Sequence, residues 1–475
     1  MKVYTSFTNL REEISSGNTN CKQIVEGFLV KIEANKHLNA FVEVYTDYAL
    51  AKAEAVDEKI KNGTAGKLAG MVIGIKDVLC LKGHAVTAAS KILQGFESLF
   101  TATAIERLIA EDVIIIGRLN CDEFAMGSSN ENSHYGNVLN AIDNTKVPGG
   151  SSGGSAVAVQ AGLCHASLGT DTGGSIRQPA SFCGIVGLKP TYGRISRWGL
   201  IAYASSFDQI GPFANTVEDV ARLLEVMAGA DEHDSTVSSK PVPNYLAAIN
   251  NNTKPKVAYF NEVLTHNGLD EEIKTDLKNK INQLNNLGIE TIGVDFPYLE
   301  YIVPAYYVLT TAEASSNLAR FDGVHYGYRS PNATDMDSVY TLSRTEGFGQ
   351  EVQRRIMLGT FVLSAGYYDA YYSKAQKVRR IIVEATRNIL NAFDFILLPT
   401  TPTTAFGIGE KVEDPISMYL ADIFTVQANL VGIPAISLPL GKHSNGLPYG
   451  YQLMADKFEE EKLLSFSNYL MKELA

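Results

Sequence analysis

Short apolar runs alternate with amphipathic segments of helix length along this chain, and this alternation limits the possible folds more than any other feature. Residues 71–75 and 113–116 are two such runs, and a helical segment at 102–111 lies between them. A strand, a helix and a strand are again indicated from 256–260 to 289–294. Because helices that connect the strands of one sheet cover its faces, the pattern predicts an α/β fold with a large, mixed and mostly parallel sheet.

The N-terminal segment, 1–65, is predicted to be helical. Apolar residues recur at helical spacing within 20–36. A second helix over 49–61 stops before Gly63, a residue that suits the left-handed position after a helix.

The second half of the chain shows the same mixture of elements. Residues 395–398 and 435–440 are predicted to be late buried strands, and 458–474 an amphipathic helix. Residues 240–243, where Pro and Ser cluster, are the best candidate for a domain boundary but suit a surface loop equally well. We therefore predict a single domain over 1–475 that includes the helical N-terminal segment.

The charge and the cysteines exclude several classes of protein. The formal net charge is -11 at pH 7, whereas a protein that binds nucleic acid on its own usually has a basic face. The five cysteines form no C-x-x-C pair and the eight His no H-x-x-x-H pair, so neither a disulfide framework nor a metal site is predicted. No membrane span and no signal peptide are indicated, so we expect a cytoplasmic protein.

Glycine is unusually dense in the middle of the chain. Many of the 40 glycines fall within 149–187, and residues 148–155 read P-G-G-S-S-G-G-S. A flexible linker is one interpretation, but the apolar residues 156–159 follow at once. A phosphate-binding loop is a second, but the Lys of the G-x-x-x-x-G-K-[ST] pattern is absent. A catalytic loop is the third interpretation, and the one we favour.

Residues 149–153 also match G-x-S-x-G, the nucleophile elbow of α/β-hydrolases. Such an elbow follows a buried strand, whereas residues 140–148 are polar and end in Pro. Its triad would also need a His late in the chain, and His443 lies in a polar turn. We interpret the match as accidental and the loop as catalytic in another way.

A second serine, Ser175, is the better candidate for a nucleophile. It ends the T-D-T-G-G-S part of residues 170–177, where bare glycine backbone lets a substrate approach closely. The consecutive N–H groups of Gly173, Gly174 and Ser175 could form an oxyanion hole. A tight turn around a buried serine would explain this motif equally well.

A serine nucleophile needs a base, and no His is placed to serve. Lys76 follows the apolar run at 71–75 and would end the strand. If the side chain is buried there, its pKa falls and a neutral amine becomes available. A surface lysine at a strand end is the alternative, and the residues alone favour it.

Together, the strand-end lysine, the G-G-S-S-G-G loop and the D-x-G-G-S-[IV]-R loop resemble the amidase-signature family, in the same order along the chain. The resemblance implies the amidase-signature fold and a Ser–Ser–Lys triad. In that triad Lys76 is the base, Ser151 the bridging serine after a cis non-proline peptide bond, and Ser175 the nucleophile. The resemblance places the oxyanion hole at the residues just before the nucleophile: Thr172, Gly173 and Gly174.

Longer strings narrow the resemblance to the amidase subunits of glutamyl-tRNA(Gln) amidotransferases. They are residues 126–133 (M-G-S-S-N-E-N-S), 175–193, 199–212 and 313–323. The resemblance implies a glutaminase that forms a γ-glutamyl ester and releases ammonia. It implies a heterotrimer in which a larger partner binds tRNA, uses ATP and Mg²⁺, and amidates Glu-tRNA(Gln), and in which the third subunit is small. This chain is expected to need no cofactor or metal and to meet tRNA mainly through its partner.

The resemblance also assigns residues that would hold glutamine by its charged ends. Arg355 would bind the α-carboxylate, for which a guanidinium offers a bidentate fork. Asp422 would bind the α-ammonium, and Tyr306 matches a further contact. Each assignment has a structural alternative without a role in binding. Arg354 and Arg355 together suit a solvated helix face, and Asp422 suits a surface helix.

Two other functions stay open at this stage. A stand-alone amidase of the same family would act on small amides with the same triad, and it would differ in being active alone. A catalytically inactive scaffold is disfavoured because Lys76, Ser151 and Ser175 are all present.

Overall fold

The computed structural model describes residues 6–251, 254–411 and 415–474. The strands in these ranges are β1 Phe41–Val44, β2 Val72–Lys76, β3 Ile114–Leu119, β4 Ala166–Asp171, β5 Val186–Lys189, β6 Gln209–Ala214, β7 Val257–Phe260, β8 Thr291–Val294, β9 Phe395–Pro399, β10 Ala435–Lys442 and β11 Pro448–Met454. The α-helices are α1 Phe7–Ser15, α2 Cys21–Ala34, α3 Thr46–Lys61, α4 Thr103–Ala110, α5 Gly153–Gln160, α6 Arg177–Cys183, α7 Val217–Met227, α8 Tyr245–Ala248, α9 Asn261–Thr265, α10 Glu271–Asn286, α11 Leu299–Asn317, α12 Met336–Gly347, α13 Gln350–Leu363, α14 Lys374–Leu390, α15 Pro415–Leu420, α16 Val426–Val431 and α17 Glu460–Glu473.

The strands of the described chain form one mixed sheet in the order β1-β3-β2-β4-β6-β5-β10-β11-β9-β7-β8. The pairs β2–β3, β2–β4, β7–β8 and β7–β9 are parallel. The pairs β1–β3, β4–β6, β5–β6, β5–β10, β10–β11 and β9–β11 are antiparallel. The α/β fold with a large mixed sheet is confirmed, but the prediction that it is mostly parallel is wrong.

Strand direction was predicted wrongly because each antiparallel pair of the described sheet contains a strand that the sequence did not indicate: β1, β4, β5, β6 or β11. Every residue of β4, β5 and β6 is buried, so these strands show no polar alternation, although their pairing is antiparallel. A run of this kind normally indicates a parallel strand covered by helices. β10 and β11 form a hairpin, closed by a hydrogen bond from the His443 N–H to the Leu447 carbonyl at 2.9 Å.

The N-terminal segment is mainly helical, as predicted, in α1, α2 and α3. The Asn20 side chain caps α2 by accepting the Gln23 N–H at 2.9 Å. Gly63 follows α3 with a φ of 69°, which glycine adopts without strain. The prediction missed β1, a strand of four residues that pairs with β3 and has no buried face of its own.

Because β2 and β4 are parallel neighbours, with Ile73 opposite Ala166, their last residues, Lys76 and Asp171, lie at the same edge of the sheet. The first glycine–serine loop meets this edge, where Ser151 Oγ lies 2.7 Å from Lys76 Nζ. The first loop leads into α5, which is packed so closely that a Cβ on Gly154 would lie 2.4 Å from the Asn120 carbonyl oxygen. This packing excludes the flexible-linker interpretation.

The candidate boundary at 240–243 is held against the rest of the chain. Arg194 donates to the Lys240 carbonyl at 3.2 Å and to the Pro241 carbonyl at 2.9 Å. Strands from both sides of this stretch enter the same sheet. The single-domain organisation itself stays a prediction.

Two further findings concern the class of protein. Within the described residues, no helix is both long and apolar enough to cross a membrane. All five cysteines are buried free thiols.

Candidate active site

Lys76 is the last residue of β2, and its side chain is completely buried. Its Nζ lies 2.7 Å from Ser151 Oγ, 2.9 Å from Ser152 Oγ and 2.9 Å from Thr170 Oγ1. Burial lowers the pKa of Lys76 to about 8, because water no longer stabilises the ammonium ion. The surface-lysine alternative is therefore wrong, and a neutral amine is accessible near neutral pH.

Ser151, rather than Ser152, has the capacity to pass a proton on. Ser152 Oγ donates to the Thr170 carbonyl at 3.1 Å and accepts the Thr170 N–H at 3.2 Å, so it is committed to the backbone of β4. Ser151 Oγ has Lys76 as its single hydrogen-bond partner among the described residues. The Gly150–Ser151 peptide bond is cis, as the resemblance implied. Ser151 thus keeps hydrogen-bonding capacity for a second hydroxyl group.

Ser175 lies in the turn between β4 and α6, beside the first serine loop. The Ser152 N–H donates to the Ser175 carbonyl at 3.3 Å and so joins the two loops. Ser175 is 8% exposed, whereas Lys76 and Ser151 are 0% exposed. The residue that a substrate can reach is therefore the one predicted to attack it.

The loop that carries Ser175 is fixed by a buried ion pair between Asp171 and Arg177. Arg177 donates to the Asp171 carboxylate through Nε and Nη2, both at 3.0 Å. Asp171 in turn accepts the N–H groups of Gly174 at 2.9 Å and Ile176 at 3.2 Å. Burial alone would raise the pKa of Asp171, but the Arg177 charge outweighs it and holds the pKa at about 2.

The two glycines before Ser175 make room for neighbouring side chains. A Cβ on Gly173 would lie 2.5 Å from Tyr306 Oη, and one on Gly174, whose φ is 136°, would lie 2.2 Å from Thr425 Oγ1. The Gly174 N–H already donates to Asp171, so it is a poor oxyanion donor in this geometry. The Gly173 and Ser175 N–H groups have no such partner among the described hydrogen bonds, and they are the better candidates.

Arg355 on α13 is buried, contrary to the alternative of a solvated helix face, whereas Arg354 is much more exposed. The Nε of Arg355 donates to Glu351 at 2.8 Å, and its Nη1 donates to Tyr203 Oη at 3.0 Å. A cavity of about 70 Å³, lined in part by Arg355, Glu351 and Tyr419, lies beside it. Nε and Nη1 are thus held by protein groups, and Nη2 has no partner among the described hydrogen bonds and remains for a ligand.

Asp422 and Tyr306 are buried near Arg355 and near the nucleophile loop. Asp422 is buried, contrary to the alternative of a surface helix, and accepts a short hydrogen bond from Ser128. Burial raises its pKa to about 7, although Ser128 and Arg355 favour the charged form. Tyr306 packs against Gly173 of the nucleophile loop. The three residues assigned from the resemblance therefore lie on the same side of the sheet edge as the two serine loops.

Comparisons with known proteins agree with this arrangement. A family model described as Amidase matches residues 23–464. The chain belongs to the amidase family. A curated relative, the A subunit of the glutamyl-tRNA(Gln) amidotransferase of Chlorobium limicola, is 51% identical over 471 residues, 98% of this chain and 99% of that protein.

Two solved structures of amidase proteins show how far the fold extends. The A subunit of the glutamyl-tRNA(Gln) amidotransferase of Thermotoga maritima superposes with a TM-score of 0.79 at 40% identity, covering 95% of this chain and 91% of that one. The peptide amidase of Stenotrophomonas maltophilia gives 0.82 at 27% identity, covering 99% and 97%. The similarity spans nearly the whole chain in both comparisons.

Several residues that support this amidase site were missed from the sequence. Asp171 and Arg177 stood inside the D-x-G-G-S-[IV]-R motif, and their opposite charges in that motif were the available signal for an ion pair. Ser128 stood in the 126–133 string without an assigned role. Glu351 lies four residues before Arg355 on α13, and this spacing was the available signal for an ion pair. Tyr203 carried no such signal, because it comes from a loop far away along the chain.

Proposed function

We propose that this chain is the glutaminase subunit of a glutamyl-tRNA(Gln) amidotransferase. The observation that carries the proposal is the fully buried Lys76 amine, hydrogen-bonded to Ser151 beside the loop of Ser175. The amidotransferase relative at 51% identity supports glutamine as the substrate.

The chemistry follows from the order of these groups. Neutral Lys76 takes the proton of Ser151, Ser151 takes that of Ser175, and Ser175 Oγ attacks the side-chain amide carbon of glutamine. The oxyanion is stabilised by backbone N–H groups of the nucleophile loop. The proton held on Lys76 returns through Ser151 to the leaving nitrogen, and ammonia departs. Water then hydrolyses the γ-glutamyl ester on Ser175 by the same proton path and releases glutamate.

Substrate selection is proposed for the cavity beside Arg355. Arg355 binds the α-carboxylate through Nη2, the nitrogen that Glu351 and Tyr203 leave free. Asp422 binds the α-ammonium in its ionised form, and Tyr306 packs between this end of the substrate and the Ser175 loop.

The released ammonia is used by other chains in this proposal. A larger partner binds tRNA, uses ATP and Mg²⁺, and amidates Glu-tRNA(Gln), and a small third chain completes a cytoplasmic heterotrimer. This chain needs neither cofactor nor metal for its own half-reaction, and it contacts tRNA mainly through the larger partner.

The decisive experiment is purification of this chain with its endogenous partner chains. We expect glutamine to support formation of Gln-tRNA(Gln) from Glu-tRNA(Gln), and we expect ammonia release to respond to the charged tRNA. A chain that purifies alone and hydrolyses diverse small amides would instead be a stand-alone amidase, the function suggested by the similar fold of the peptide amidase. A complex that needs this chain but never consumes glutamine would make it a scaffold.

The pH dependence should reflect two buried groups. The fraction of neutral Lys76 rises as pH increases through about 8, and the fraction of ionised Asp422 rises through about 7. Both changes favour catalysis, so kcat/KM for glutamine should increase from about pH 6 to about pH 9. Steady-state rates across that range measure it, and a flat profile would contradict the assignment of Lys76 as base.

A further inference from the structure

The segment at 126–133 lies between the triad and the cavity beside Arg355. Asp122 accepts the N–H groups of Asn130 at 3.0 Å and Asn132 at 3.1 Å, and its own N–H donates to the Ser151 carbonyl at 3.0 Å. A Cβ on Gly150 would lie 2.7 Å from the Ser129 nitrogen. The segment is therefore packed directly against the first serine loop.

One hydroxyl of this segment has no partner. Ser129 is 1% exposed, and within the described part of the chain its Oγ makes no hydrogen bond. Its neighbour Ser128 is satisfied by Asp422. Leaving a buried hydroxyl unpaired is unfavourable, so a ligand that pairs with it gains binding free energy.

The unpaired hydroxyl lies in the wall of a cavity that is also lined by charged side chains. Ser129 lines the cavity of about 70 Å³ together with Arg355, Glu351 and Tyr419. Arg355 presents a buried cation whose remaining N–H groups suit a carboxylate, and a carboxylate accepts several hydrogen bonds at once. A serine hydroxyl in the same wall is a suitable further donor, whereas the acidic Glu351 is already occupied by Arg355.

We propose that Ser129 Oγ donates a hydrogen bond to the α-carboxylate of the bound substrate, beside Arg355. This inference rests on the proposed glutaminase function and deepens it. Ser129 makes the site selective for amides that carry a carboxylate at the far end, because a simple amide leaves the Ser129 hydroxyl and the Arg355 Nη2 without a partner.

Ser129→Ala in the full chain with its partner chains tests the proposal. KM for glutamine should rise by about 10- to 100-fold, the loss expected for a hydrogen bond to a charged group, while kcat changes little. Ser467→Ala is the matched control, because Ser467 on α17 is likewise buried and, among the described residues, its Oγ has no hydrogen-bond partner. KM of the control should equal that of wild type.

Two competitive inhibitors identify the group that Ser129 contacts. The Ki of 4-carbamoylbutanoate, which is glutamine without its α-ammonium, should rise in Ser129→Ala by the same factor as KM. The Ki of butanamide, which lacks the carboxylate, should stay unchanged. An unchanged KM for glutamine, or equal weakening of both inhibitors, would overturn the inference while leaving the glutaminase function intact. A wild-type complex that releases no ammonia from glutamine would instead refute the function and this inference together.

Discussion

Ser175→Ala is expected to slow glutamine hydrolysis by about 10⁴-fold or more. Alanine has no Oγ, so no ester can form, and a buried Lys76–Ser151 pair has no nucleophile to activate. The fold should persist, because Ser175 joins the other loop through its carbonyl, which the substitution keeps. Ammonia release from glutamine by the purified complex measures the effect.

Supplied ammonium separates the chemistry of Ser175 from the assembly of the complex. With Ser175→Ala, ammonium salts should support Gln-tRNA(Gln) formation at the wild-type rate, because the source of ammonia alone is lost. Ser152→Ala tests the assignment of the neighbouring serines, since Ser152 serves the β4 backbone and should cost less activity than Ser151→Ala. Undiminished glutamine-dependent activity in Ser175→Ala would refute the triad.

The two serine loops could be predicted as reactive from the sequence. Whether Lys76 is a buried base or a surface lysine could not be decided from the residues alone. The residues alone favoured a surface position for Lys76, because a strand that ends in lysine gives no sign of what covers its end. Burial is produced by Ser151, Ser152 and Thr170, which lie far along the chain and close over the amine. The resemblance supplied the correct interpretation, and the physical reason appears only with the loops in place.

Strand direction, like the burial of Lys76, depends on how distant parts of the chain come together and could not be predicted from local sequence. The apolar pattern located β2, β3, β7, β8, β9 and β10 to within a few residues, because burial requires apolar side chains wherever a strand lies in the sheet. It did not indicate β4, β5, β6 or β11, and β6 runs antiparallel to β4. Direction is set by the connections, and β10–β11 is a hairpin that no helix interrupts. Periodicity therefore predicts the layers of the fold better than the topology.

Arg177→Met is expected to destabilise the chain by about 3–5 kcal/mol, the usual cost of breaking a buried ion pair from one side. Arg177 and Asp171 are both 0% exposed, and Arg177 also donates to the Thr425 carbonyl at 2.7 Å and to Gln452 at 2.9 Å. Without the guanidinium, Asp171 loses the largest influence that opposes its burial and keeps only weaker ones such as Lys189 and Asn429, so the pKa of Asp171 rises and its ionised form becomes costly. The midpoint of urea unfolding measures the loss.

The same substitution should also disturb catalysis, because Asp171 holds the N–H groups of Gly174 and Ile176 on either side of Ser175. A carboxyl that turns or takes up a proton no longer fixes that loop, so we expect kcat for glutamine to fall while the complex still assembles. Arg380→Met removes an exposed pair with Glu384 and serves as the control, since such pairs contribute little to stability. If Arg177→Met unfolded at the same urea concentration as Arg380→Met, the ion pair would not be what fixes the nucleophile loop.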